Sequence, residues 1–216
     1  MSNLKLIIFD LDGTLVDSEK VYHQGWVQVL KDYGHEANEL ELKAMRGRST
    51  VHNNQIIKGY LGSDRLVQEA RSLREEYYFT ALKNGQVELL PGAMEIIETA
   101  KNQSLKLAVA TSSYGERAIA MLEKFDLLKH FDFTVFGDEV VESKPSPEIY
   151  ERALELANIS AKHAIAIEDS TAGLESALAA NLRVCFVPEE QVERRQFESN
   201  FTQFSSLTAV QKELFG

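Results

Sequence analysis

The chain predicts an α/β fold: a mostly parallel sheet with crossover helices and an all-helical insert after its first strand. Three observations lead there. From Pro91 onward, short apolar runs alternate with helical patterns. The first apolar run, Leu4 to Phe9, stops at two acids spaced two apart, Asp10 and Asp12. Between Val16 and Gln86 no convincing strand occurs.

The elements follow in order. After the strand Leu4 to Phe9, Val21, Trp26, Val29, Leu30 and Tyr33 fall near one face of a helix that Gly34 stops. Leu40 to Met45 reads as a short helix. Ser49 or Thr50 can cap the next, to about Tyr60, and Ser63 or Asp64 a longer one through Leu66, Ala70, Leu73, Tyr77 and Leu82. Hinges to the insert fall near Leu15 to Ser18 and Gly85 to Leu90. After Pro91-Gly92, the helix Ala93 to Asn102 leads to the strand Leu105 to Ala110. The helix Glu116 to Phe125 leads to Phe133 to Phe136, and Pro147 to Ala157 leads to Ala164 to Ile167. The helix Thr171 to Ala180 leads to Arg183 to Val187. A short run, Phe201 to Phe204, and a helix, Leu207 to Leu214, finish the chain.

Composition narrows the function classes. At 216 residues, 44% hydrophobic and 26% charged, the chain has the make-up of a soluble globular protein with a sizeable core. The formal net charge of −10 argues against a nucleic-acid partner, which needs Lys and Arg patches. Cys185, the only cysteine, lies in an apolar run and reads as a buried inert thiol. The absence of a long apolar segment points away from a membrane and towards the cytoplasm.

Chemistry collects at strand ends, where parallel sheets bind ligands. Residues i and i+2 at a strand tip point the same way, so Asp10 and Asp12 stand together, and their repulsion calls for a cation or a shared proton. Thr111-Ser112-Ser113 follows the strand Leu105 to Ala110 and suits either an ordinary N-cap or an anion site. Glu168 and Asp169 follow the strand Ala164 to Ile167; a helix N-cap at Asp169 explains one acid but not the pair. Lys144, ahead of Pro145, can neutralise a phosphate as a point charge. Asp10, Asp12, Glu168 and Asp169 make a hard oxygen cluster of the kind Mg²⁺ takes, and Thr111, Ser112 and Lys144 form an anion site beside it. That combination is a phosphoryl-transfer site.

Asp10-x-Asp12-Gly13-Thr14, Thr111-Ser112, Lys144-Pro145 and Glu168-Asp169-Ser170-x-x-Gly173 together resemble the haloacid dehalogenase (HAD) superfamily, in its phosphatase and phosphomutase branch. The resemblance implies a Rossmann-like, HAD-like core from residues 1–15 and 86–216, with a mobile helical cap from residues 16–85. It implies Asp10 as the nucleophile that forms an aspartyl-phosphate and Asp12 as general acid, then base. Thr111, Ser112 and Lys144 are implied to hold the phosphoryl group. Mg²⁺ is implied to sit on Asp10, the backbone carbonyl of Asp12, and Asp169, with Glu168 supporting. The closest subgroup resembles the sugar-phosphate phosphatases and β-phosphoglucomutase. Tyr114 stands where the mutase pattern has lysine, and Gly47-Arg48-Ser49-Thr50 ends in threonine where it has arginine.

The expectation is therefore a Mg²⁺-dependent phosphoric monoester hydrolase acting on a small phosphorylated metabolite of the sugar-phosphate kind. A β-phosphoglucomutase-type phosphomutase is the alternative, and a non-catalytic metabolite-binding protein a more distant one. Arg46 and Arg48 are candidate substrate contacts in the insert, and His23 reads as a surface histidine. The expected state is a monomer or weak dimer.

Overall fold

A computed structural model describes residues 3–45, 48, 50–188 and 200–216. Strand β1 (Leu6–Phe9) is buried at every position, as a central parallel strand is. It lies between β4 (Lys106–Ala110) and β6 (Ala164–Glu168), both parallel to it. The six-stranded sheet runs β5 (Phe133–Val135), β4, β1, β6, β7 (Arg183–Phe186), β8 (Phe201–Gln203).

Side chains alternate across this sheet. Ile7 and Phe9 pack with Leu107, Val109 and Ile167 beneath helices α5 (Ala93–Asn102), α6 (Gly115–Lys124) and α9 (Leu207–Phe215). Leu6 and Ile8 pack with Ala108, Ala166 and Val184 against α7 (Glu148–Ala157) and α8 (Thr171–Ala179). Each strand serves both layers, so neither core can form without the sheet.

The strand order reverses at β1. The chain steps outward to β4 and β5, then returns to the other side of β1 for β6 and β7. The crevice beyond such a switch point is where an open α/β sheet binds its ligands. Asp10 follows β1, Thr111 follows β4, and Glu168 ends β6 with Asp169 just beyond it. Three adjacent strand tips thus deliver the expected chemistry to one place.

Helices α1 (Glu19–Asp32), α2 (Glu39–Lys43), α3 (Thr50–Leu61) and α4 (Asp64–Lys83) form the insert. Asn38 caps α2 by accepting from Leu40 N (2.9 Å), and Ser63 caps α4 by accepting from Leu66 N (3.4 Å). Trp26, Leu30, Leu42, Ile57, Val67 and Ala70 belong to an apolar cluster of the insert's own.

Two expectations differ from what is seen. A short strand does occur near the insert: β2 (Val16–Asp17) pairs antiparallel with β3 (Glu88–Leu89). Two residues carry no readable periodicity, and their pairing depends on the distant partner. The buried face of α4 also differs from the expected row through Leu73 and Tyr77. Val67, Ala70, Arg74, Tyr78, Ala81 and Leu82 are buried, while Leu73 is 43% exposed. The cause is Arg74, whose guanidinium stacks over the Tyr22 ring at 4.2 Å and is fully buried. Gly25 lets α1 and α4 approach this closely, because a Cβ there would lie 3.2 Å from Arg74 Cγ.

Truncating a fully buried side chain of the central strand leaves a cavity shared with both neighbouring strands. Ile8→Ala should lower unfolding free energy by about 2–5 kcal/mol, read from the shift in denaturation midpoint at constant slope.

Candidate active site

Asp10 stands at the tip of β1, 6% exposed, with its backbone N–H donating to Ile167 O (3.0 Å). Lys144 Nζ donates to Asp10 Oδ1 (2.5 Å), to Glu168 Oε1 (2.6 Å) and to Ala110 O (3.0 Å). A lysine has three donors, and all three are used. Its ammonium also lies 5.1 Å from the centre of the Tyr150 ring. Burial alone would lower the Lys144 pKa, but the charges of Asp10 and Glu168 outweigh it and hold the group above its ordinary value. Lys144 is therefore a fixed, protonated charge.

Glu168 is fully buried and fully engaged. Its Oε1 also accepts from Tyr150 Oη (2.6 Å), and its Oε2 accepts from Asp169 N (3.2 Å), Ser170 N (3.3 Å) and Ser170 Oγ (3.3 Å). Gly173 makes this possible: a Cβ at that position would run into the Glu168 carboxyl.

Asp169 is left free to face the site because Ser170, and not Asp169, caps α8 by accepting from Gly173 N (3.0 Å). Thr14 Oγ1 donates to Asp169 Oδ1 (3.2 Å). Gly13, at φ +84°, packs its bare α-carbon against the same carboxyl, where any side chain would collide. Ligand oxygens of Asp10, Glu168 and Asp169 lie within 4.8 Å of one another. Burial raises the pKa of Asp10 well above the carboxylate range, with Lys144 opposing it. Asp169 is raised by burial first and then by the charges of Asp10 and Glu168. A buried carboxyl and a half-buried one, whose charge one lysine only partly offsets, are a donor set that fits a hard divalent cation.

The Asp12 side chain turns away from this group and is absent from the cluster of candidate metal ligands among the described residues. Ser18 Oγ donates to its Oδ1 (2.6 Å). Thr111 Oγ1 (3.4 Å) and Ser113 Oγ donate to its Oδ2. Arg117 lies 4.0 Å from the same oxygen and donates to Ser113 Oγ. Asp12 is thus held as an acceptor at the edge of a cavity.

The hydroxyl stretch does not cap a helix. Helix α6 starts only at Gly115, whose N–H donates to Asp138 Oδ1 (2.9 Å). Thr111 Oγ1 accepts from Ser113 N (3.1 Å), which closes the stretch into a tight loop. Ser143 Oγ donates to Ser112 Oγ (3.0 Å), tying this loop to the one that carries Lys144.

One cavity joins these groups to the insert. Asp10, Asp12, Thr111 and Ser112 line one side, and Trp26, Asn53, Arg48 and Glu75 are among the residues lining the other. Arg48 therefore reaches the site; Arg46 lies outside the described residues. His23 also lines the cavity, with Nε2 2.8 Å from Glu39 Oε2. Burial pushes the Cys185 thiol up to about 12, in keeping with an inert group.

Sequence reasoning missed several contributors. Ser18 lies a few residues after the Asp-x-Asp motif, and that closeness was the available signal; Ser113 belongs to the expected hydroxyl stretch, and its bond to Asp12 is what the structure adds. Tyr150, Glu75 and Arg117 lie on amphipathic helices and look like ordinary surface or core positions until the helices are packed.

Carboxylates at a sheet switch point, a buried lysine and a hydroxyl loop define a hydrolase with a site for an anionic group. The chain belongs to the haloacid dehalogenase-like hydrolase family, whose model matches residues 7–187. It is 32% identical over 219 aligned positions to Protein CbbY of Rhodobacter capsulatus, covering 96% of this chain and 95% of that one. It is 34% identical to the phosphorylated carbohydrates phosphatase of Thermotoga maritima, covering 83% and 82%. Among solved structures, a CbbY variant from Rhodobacter sphaeroides in complex with xylulose-(1,5)bisphosphate superposes with a TM-score of 0.81 at 25% identity, covering 94% and 95%. No helix among the described residues is long and apolar enough to cross a membrane.

Lys144 is buried between two acids, so its removal strands both charges. Lys144→Met should cost about 3–5 kcal/mol of unfolding free energy, measured by denaturant titration in chelator. A loss under about 1 kcal/mol would show that the acids are protonated around it.

Proposed function

We propose that this chain is a Mg²⁺-dependent phosphatase that hydrolyses a small phosphorylated metabolite, a sugar phosphate, through an aspartyl-phosphate on Asp10. The observation that carries the reading is the pairing of Asp10 with Lys144 at 2.5 Å, beside a hydroxyl loop and open to a cavity. The name of the carbohydrate-phosphatase relative and the xylulose-(1,5)bisphosphate bound in the CbbY neighbour support the substrate class.

In this reading Asp10 attacks phosphorus as the bond to the leaving oxygen breaks, and Asp12 donates a proton to that oxygen. Water then attacks the phosphorus of the aspartyl-phosphate. Asp12 takes the water's proton, and Asp10 leaves as the carboxylate. Thr111 and Ser112 supply hydroxyls to the phosphoryl oxygens. Lys144, with its donors committed, contributes charge. Asp10, the Asp12 carbonyl and Asp169 would hold a divalent cation, which offsets the charge of the phosphoryl oxygens, and Glu168 would brace the group. Residues 16–85 act as the cap, with Arg48 among its substrate contacts. The paired β2 and β3 tie its two connections together, and closure excludes bulk water.

Water is the acceptor in preference to a second sugar hydroxyl. A mutase must bind phosphate at both ends of its intermediate, which asks for a second cationic site. Tyr114, 47% exposed, occupies the position where a lysine would serve. With a sugar monophosphate and a trace of its bisphosphate, free phosphate should accumulate. Isomerised sugar phosphate appearing faster than free phosphate would overturn the hydrolytic reading.

Asp10→Asn should remove turnover by at least about 10³-fold and leave the circular dichroism spectrum unchanged, since an amide is a very poor nucleophile. Acid-quenched wild-type enzyme given a ³²P-labelled ester should retain protein-bound label, and the variant none.

Mg²⁺ should raise the melting temperature, because an ion that binds only the folded state stabilises it by about 2.7 kcal/mol at a hundredfold excess over Kd. Asp169→Asn should lose most of that shift. Full turnover in excess chelator would remove the metal from the mechanism. Ca²⁺ should support turnover poorly, because it takes a looser, higher coordination.

A further inference from the structure

We propose that Arg117 is a positioning residue for Asp12, acting through Ser113, and that Glu75 of the insert holds it in that role. This rests on the phosphatase reading and adds what orients the group that moves the proton.

The direction of the hydrogen bonds follows from the donors. A guanidinium only donates, and a serine hydroxyl has one proton to give. Arg117 Nη2 donates to Ser113 Oγ, so the Ser113 proton is directed to Asp12 Oδ2. Thr111 Oγ1 reaches that oxygen only at 3.4 Å, and Ser18 Oγ holds the other one at 2.6 Å. The Oδ2 end of Asp12 is therefore placed chiefly by Ser113, and Ser113 by Arg117.

Arg117 is rooted on α6, yet the insert supports its side chain. Its Nη1 lies 3.9 Å from Glu75 Oε1. Its guanidinium lies over the rings of Tyr22 (5.0 Å) and Tyr78 (5.5 Å). Glu75 and Tyr78 belong to α4, and Tyr22 to α1. Glu75 Oε1 is itself held by Arg74 Nη2 (2.5 Å). Burial alone would lower the Arg117 pKa, but the charges of Asp12 and Glu75 outweigh it and hold the group above its ordinary value. Arg117 is thus a permanent cation between an acid of the core and an acid of the insert, and both acids line the cavity. A guanidinium bonded directly to Asp12 would occupy the oxygens that must trade a proton. Glu75 draws the charge from the other side, and Arg117 stays 4.0 Å from Asp12 Oδ2 with the Ser113 hydroxyl bonded to both. Arg117 Nε is buried without a partner, so a plain substrate contact is the competing role. That role acts on KM, whereas positioning acts on the rate of proton-assisted transfer.

The test measures the first turnover by rapid quench with Mg²⁺ present. It compares p-nitrophenyl phosphate, whose leaving oxygen needs little protonation, with the three- to six-carbon sugar monophosphate that the wild type turns over fastest. In Arg117→Met the rate for the sugar ester should fall by at least about tenfold more than the rate for p-nitrophenyl phosphate, with KM moving less than about threefold. Glu75→Gln should shift the same ratio in the same direction. In the double variant the ratio should stay within about twofold of that for Arg117→Met alone, because one residue acts through the other. If Arg117→Met does not fold, Ser113→Ala takes its place in both comparisons. An equal loss for the two esters, a rise in KM as the main effect, or independent effects in the double variant overturns the inference, while turnover of p-nitrophenyl phosphate keeps the phosphatase reading. No turnover of any ester overturns both.

Discussion

Everything at this site hangs on one buried cation. Lys144 holds Asp10 and Glu168 at 2.5 and 2.6 Å and is 2% exposed. Taking three charges out of water is expensive, and a pair of apolar side chains could fill the volume more cheaply. The arrangement makes sense as positioning. The lysine links the loop before α7 to the tips of β1 and β6, and a shift in any one of them breaks a charged bond in a dry interior. The carboxylate that faces the cavity is held in place by that linkage.

The rest of the site is arranged around it by hydrogen bonds that leave selected oxygens uncommitted. Glu168 is saturated by Lys144, Tyr150 and the first turn of α8, so it braces and does not react. Asp169 is released for the cavity because Ser170 takes over the capping of α8. Asp12 is oriented by hydroxyls from two directions, one on the approach to α1 and two on the loop after β4. The same short loop therefore orients Asp12 and offers Ser112 to the cavity.

The helical insert completes the site from above with a different logic. Two of its arginines stack on rings, Arg74 over Tyr22 and Arg71 over Trp26, and Arg71 also donates to Asn54 Oδ1. Gly25 allows α1 and α4 to close on Arg74, and this places Glu75 one residue on at the cavity. The core and the insert meet through Arg117, which reaches from α6 to Asp12 on one side and Glu75 on the other.

The sequence by itself determined the alternation of strands and helices, the position of the insert and the acids at the strand tips. Period-two and period-3.6 patterns are local, and a strand that ends in Asp-x-Asp-Gly needs no distant partner to be legible. The structure brings Arg48, one of the two candidate contacts in the insert, to the cavity; Arg46 lies outside the described residues. Only the tertiary structure decided the sheet order that makes β1 the switch point. It alone decided that Ser170 caps α8, that Arg74 displaces Leu73 from the buried face of α4, and that Tyr150, Glu75 and Arg117 join the site. Those choices depend on which surfaces meet. A charged residue on an amphipathic helix looks the same in sequence whether it faces water or an aromatic ring 4.2 Å away.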